Sequence, residues 1–168
     1  MRLRDIGLAA LACAGCIAQA QGALATPDPD WKESEVPAPP ALRSSGLIPL
    51  EMPGSALRFG VDPKSVVLDR DGIVRYVVVA SSAQGAVNAM YEGIRCNTGE
   101  FRIYARHTPD RGWVMVNNSV WRSLQDAALT SRYSMEIARN GACVGNGPNR
   151  SAERIVRDLA GGPDKRFN

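Results

Sequence analysis

The chain has 168 residues, 45% hydrophobic and 22% charged, which suits one globular domain once targeting segments are set aside. Twenty basic and 17 acidic residues leave a net charge of +3 and a pI near 8.8. No dense lysine or arginine stripe accompanies that mild excess, so the footprint of a nucleic-acid binder is missing, and no internal repeat points to a solenoid.

At the N-terminus, Arg2 and Arg4 precede an apolar run from Ile6 to Ile17, and Ala18-Gln19-Ala20 follows as an A-x-A cleavage pattern. A basic start, a short apolar stretch and small residues at its exit predict a secretory signal peptide over residues 1–20, too short to span a bilayer at about 20 apolar residues. A second acceptable cut follows Ala25. A competing reading takes Ala14-Gly15-Cys16 as the end of a bacterial lipoprotein signal, although Cys13 stands three before it, where a larger aliphatic residue is usual. The expected location is therefore the periplasm, with membrane contact only if Cys16 is lipidated and the outer-membrane lipoprotein as the alternative.

Seven of the 11 prolines lie between Pro27 and Pro53, which excludes a long helix or central strand there. Residues 21–55 form a proline-rich N-terminal segment, with residues 26–40 extended and wrapped on the surface. Within it Trp31 reads as an aromatic anchor, and the residues before it either follow that extended path or form a mobile tail. Residues 47–50 and 56–61 are candidate first or edge strands.

From Ser65 onward, short runs rich in β-branched and aromatic residues alternate with turn signals, the pattern of an antiparallel sheet of adjacent strands. Residues 65–69 and 73–80 flank Arg70-Asp71-Gly72, a hairpin signal. The D-x-D-G there lacks the later ligands of a calcium loop. Residues 88–96 follow, with Met90, Glu92, Ile94 and Cys96 on one face and Ala89, Tyr91, Gly93 and Arg95 on the other. Residues 100–106 then place Phe101, Ile103 and Ala105 opposite Arg102, Tyr104 and Arg106, and residues 113–116 close the set. This alternation predicts one face on a core and one toward water or a partner.

Glu92 shares its face with apolar residues. A carboxylate so placed needs a partner, and two readings stand: a structural pair with Arg75, Arg95 or Arg102, or a catalytic group of raised pKa. His107, the one histidine, has no nucleophile motif near it.

Trp121, Leu124 and Ala128 at i, i+3, i+7 predict an amphipathic helix over residues 120–129, which residues 131–139 continue or follow as a second helix. Ala152, Ile155, Val156 and Leu159 make a clean stripe for a last helix, capped by Asn149 or Ser151 and stopped at Gly161-Gly162-Pro163. The expected fold is α+β: an antiparallel sheet of about five strands with two or three C-terminal helices on one face. The domain spans residues 56–162 and a flexible tail follows at residues 163–168. In the mature chain only Cys96 and Cys143 remain. In an oxidising compartment they predict one disulfide, worth roughly 4 kcal/mol, and otherwise stand as two buried thiols. No cofactor is expected, and no metal, since zinc would lack its usual ligand set.

The pieces Trp31-Lys32-Glu33, Asp71-Gly72-Ile73-Val74-Arg75-Tyr76, Ser81-Ser82-Ala83-Gln84-Gly85-Ala86-Val87-Asn88, Tyr91-Glu92-Gly93-Ile94-Arg95-Cys96 and Tyr104-Ala105, with Trp113, Trp121 and Cys143, resemble the family named after a cryptic neisserial protein. The resemblance covers about residues 30 to 160. It implies an exported proteobacterial protein of single-domain extent, and it carries no activity, cofactor or catalytic set. The functional expectation is a non-enzymatic binding or structural component of the envelope, whose partner is another envelope component. Arg75, Tyr91, Glu92, Arg95, Arg102, Tyr104 and Arg106 form its candidate binding surface, since arginine and tyrosine are enriched at recognition surfaces. The alternative is an envelope-acting hydrolase using Glu92.

Overall fold

The computed structural model describes residues 28–126 and 129–161. The expected signal peptide, both cleavage sites, Cys16 and the tail at residues 163–168 lie outside the described residues. Among those described, no helix is long and apolar enough to cross a membrane.

Three nine-residue strands make the centre of the sheet: β4 (Ile73–Ser81), β5 (Val87–Arg95) and β6 (Glu100–Thr108). Around them lie β1 (Ile48–Leu50), β2 (Arg58–Val61), β3 (Val67–Leu68), β7 (Gly112–Met115) and β8 (Arg122–Ser123). All pairs are antiparallel in the order β1-β2-β4-β5-β6-β7, with β3 on β4 and β8 on β6, giving eight strands rather than about five. A separate two-stranded ribbon joins β9 (Cys143–Val144) to β10 (Gly147–Pro148). The additional strands are two to four residues long, too short to show an alternation in sequence.

The turns sit where glycine stands. Gly72 has φ +79° and ends the turn that returns β3 into β4, with its N–H donating to the Asp69 carbonyl at 3.0 Å. Asp71 keeps a negative φ, so this is not the two-residue turn that needs both central residues left-handed, and the loop lengthens by one.

Two helices follow, α1 (Leu129–Ile137), which runs into a wide turn over residues 138–142, and α2 (Ala152–Gly161). They lie on one face of the sheet over Val74, Tyr76, Val78, Met90, Ile94, Phe101 and Ile103. The stripe on α2 buries Ile155 and Leu159, and Ser151 caps it by accepting the Arg154 N–H at 3.2 Å. Cys96, just past β5, and Cys143, just past the wide turn, form a disulfide with Cα atoms 5.6 Å apart, tying the sheet to the helical layer.

The helix expected over residues 120–129 does not form over residues 120–126, and Ala128 lies outside the described residues. Arg122 and Ser123 instead pair with Phe101 and Glu100 as β8, and the Leu124 N–H donates to the Gly99 carbonyl at 2.9 Å. Leu124 is buried against the core, and Trp121 meets Trp31 edge-on at 6.3 Å, so the apolar spacing serves two contacts rather than one helix face.

The larger correction concerns the other face. It does not look outward. Val77, Val79, Ala89, Tyr91, Tyr104 and Ala105 form a second core, and Val36, Leu42, Leu47 and Trp113 pack onto it. The proline-rich segment therefore lies across the sheet as a strap, without regular structure through residues 31–44, before entering the sheet as β1.

Candidate functional site

The strap is attached through side chains. Trp31 donates its indole N–H to the Asp71 carbonyl at 3.0 Å, and the Trp113 indole donates to the Pro40 carbonyl at 2.9 Å. Ser34 donates both its backbone N–H (3.0 Å) and its hydroxyl (2.6 Å) to one Asp71 carboxylate oxygen. In an extended chain alternate residues share a side, so Trp31 and Glu33 face the sheet together while Lys32 is exposed between them.

Glu33 lands on a cradle whose donors come from two strands, β4 and β6. Arg102 of β6 donates to one carboxylate oxygen at 2.7 Å, while the Tyr104 hydroxyl at 2.6 Å and Arg75 of β4 at 3.4 Å donate to the other. Arg75 is fully buried and also reaches Asp69 at 2.5 Å and Asp71 at 2.9 Å, so one guanidinium answers three carboxylates. Arg95 lies 3.7 Å from the centre of the Trp31 ring, a close cation–π contact.

Two sequence features make the cradle possible. β6 carries one extra residue: Glu92 pairs with Ile103 and Tyr91 with Ala105, leaving Tyr104 as a bulge. The ring of Tyr104 then lies over Gly93, where an added Cβ would stand 2.6 Å from the Tyr104 hydroxyl. Only glycine leaves that space.

The charges follow from this geometry. Burial works to raise the Asp71 pKa, but the Arg75 guanidinium, Ser34 and the Ile73 N–H outweigh it and hold the carboxyl well below the usual range. Burial, with Glu33 beside it, pushes the Tyr104 phenol up. The Nε atoms of Arg75, Arg95 and Arg102 are buried without an acceptor among the described residues.

A second polar cluster lies on the helical face. Glu92, 0% exposed, receives hydroxyl bonds from Tyr133 of α1 (2.5 Å), Tyr76 of β4 (3.0 Å) and Ser134 of α1 (3.1 Å). The expected arginine partner is replaced by three hydroxyls, because Arg75 and Arg102 project to the opposite face. Burial raises the Glu92 pKa to about 7, with the hydroxyls of Tyr133, Tyr76 and Ser134 and the charge of Arg106 holding it back. A carboxyl of this kind is suited to catalysis only where substrate reaches it. Glu92 does not line the cleft of about 400 Å³ between Met52, Pro53, Leu124, Arg132 and Met135, where the outer end of α1 meets the β1–β2 loop.

The seven residues expected to form one outward surface thus separate. Arg75, Arg95, Arg102, Tyr91 and Tyr104 gather on the strap-covered face, with Tyr91 and Tyr104 rings 5.6 Å apart. Arg75, Tyr91 and Tyr104 are buried there, so they present nothing to solvent while the strap is in place. Glu92 lies on the helical face. Arg106 pairs with Met90 on that same face and is exposed, because the bulge at Tyr104 reverses the alternation beyond it. Ala105 changes face for the same reason and joins the second core.

The sequence reading did not single out Glu33, Ser34, Asp69, Tyr133 or Ser134. The extended spacing of Trp31 and Glu33 was the one available signal. His107 meets the Trp113 ring edge-on at 5.2 Å. Among the described residues no group of three or more side chains is placed to hold a metal ion.

The model of one protein family, described as the CNP1-like family, matches residues 26–160, from just before the strap to the end of the last helix. No curated protein and no solved structure matches the chain.

Proposed function

The chain belongs to the CNP1-like family, and from that premise we propose that it is an exported, periplasmic protein that holds another envelope component rather than turning over a substrate. The observation that carries the non-catalytic reading is Glu92. Among the described residues it is the one buried carboxyl with a pKa raised to about 7, it is fully enclosed, and its oxygens are taken up by protein hydroxyls. Export is supported by the basic start, apolar run and A-x-A exit of residues 1–20, and the Cys96–Cys143 disulfide suits an oxidising compartment.

Osmotic-shock fractionation with intact-mass analysis tests the location. The expected product is a soluble protein beginning at Gln21, or at Thr26 for the later cut. A product beginning at a diacylglyceryl Cys16 makes the same binding protein an anchored one, and an uncut cytoplasmic chain overturns the reading. Incubation of native protein and Glu92→Gln with labelled envelope material tests the second half. No turnover is expected from either, and turnover that Glu92→Gln abolishes establishes the hydrolase instead.

A further inference from the structure

The strap and its cradle have the form of a peptide bound to a receptor. An aromatic side chain is clasped between Arg95 and Trp121, a carboxylate two residues later is received by Arg102, Tyr104 and Arg75, and the next hydroxyl is bound by Asp71. These contacts come from side chains of residues 31–34 and, on the receptor side, from β4, β5 and β6, the turn at Asp71 and Trp121 just before β8. Among the described residues, the one backbone–backbone bond of that stretch runs back to Asp28, from the Trp31 N–H at 3.2 Å. No ladder of main-chain bonds therefore has to break for the stretch to leave. Beyond it, Ser44, Ser45 and Gly46, the last with φ +68°, supply a joint between strap and β1.

The cradle also has more donors than Glu33 uses. Two carboxylate oxygens meet Arg75, Arg102 and Tyr104, while the Nε–H groups of those two arginines remain buried without an acceptor among the described residues. An acceptor-richer ligand satisfies donors that the strap leaves idle, which gives it a way to compete with a segment held at high effective concentration.

We infer that the face under the strap is a recognition site for an acidic peptide carrying an aromatic residue two positions before a carboxylate, and that residues 31–34 occupy it in cis. This rests on the binding reading above and names the chemistry of the partner. The chain's own Trp31-Lys32-Glu33-Ser34 is the template for that chemistry. The positive guanidiniums of Arg75 and Arg102 and the stacking surface of Arg95 define what replaces it.

The probe is a fluorescent synthetic peptide with the sequence of residues 28–38, tested on the full mature chain carrying Trp31→Ala and Glu33→Ala, which empties the cradle without altering it. The peptide is expected to bind, and the same peptide with glutamine at the position of Glu33 to bind at least about tenfold more weakly. If the double variant does not fold, Glu33→Gln alone is used under the same criteria. In the native chain, excess peptide is expected to displace the strap and speed cleavage after Lys32 by a lysine-specific protease about tenfold. Equal binding of the acid and amide peptides, or no binding by the folded variant, overturns the site. Binding by the emptied variant while cleavage of the native chain stays unchanged makes the strap a permanent part of the fold, which overturns the recognition role. These readouts are independent of where the cell places the protein, so a failed export test leaves the peptide site standing.

Discussion

Glu92→Gln isolates the energetic consequence of the buried carboxyl. Its pKa rises from an ordinary 4.5 to about 7 on folding, chiefly through burial. Between those values the folded protein holds a proton that the unfolded chain has released. The stability this proton contributes is full below about pH 4.5, declines as pH rises, and is gone above about pH 7. At about 1.4 kcal/mol per pH unit the gap amounts to about 3 kcal/mol. A glutamine keeps the shape, remains neutral, and offers an oxygen to one tyrosine hydroxyl and an amide to the others. Urea unfolding of native and variant protein, disulfides intact, at intervals from pH 4.5 to 8 reads the difference directly, because every other titrating group is common to both. The variant is expected to lie within about 1 kcal/mol of the native protein at pH 4.5 and to exceed it by about 2 kcal/mol at pH 8. A difference that stays constant with pH refutes the assignment of a proton to Glu92 in the fold.

Glu33→Ala removes the carboxylate that Arg102 and Tyr104 share, while Arg75 keeps Asp69 and Asp71, and is expected to cost about 2 kcal/mol in urea unfolding, with faster cleavage after Lys32. Gly93→Ala places a methyl group against the Tyr104 ring and should cost about 2 kcal/mol, whereas Ala83→Ser at an exposed turn should cost less than about 0.5. Asp71 is held ionised by Arg75, so its contribution is present above about pH 4 and lost as pH falls below the unfolded value; Asp71→Asn should be less stable at pH 7 and lack that acid-side decline. Reduction of Cys96–Cys143 should lower the unfolding free energy by about 4 kcal/mol without abolishing the sheet.

Local order supplied much of this protein. The alternation at residues 73–80 and 88–96, the glycines at positions 72, 85, 99 and 112 and the stripe from Ala152 to Leu159 each rest on neighbours in the chain and read directly as strand, turn or helix, while the disulfide follows from only two cysteines remaining in the mature chain. Tertiary structure decided which face was which. One extra residue at Tyr104 turned Arg106 and Ala105 over, and nothing in a period-two pattern marks where an insertion falls. Trp121 and Leu124 carry helical spacing but answer to Trp31 and to the core under β6, contacts made far along the chain. The strap is the clearest case: a segment rich in proline has no period to read, and its value to the fold lies in Glu33 meeting Arg75 of β4 and Arg102 and Tyr104 of β6, far along the chain. Charges meet at a distance set by the whole sheet, so only the folded chain shows that these arginines face their own carboxylate rather than the solvent.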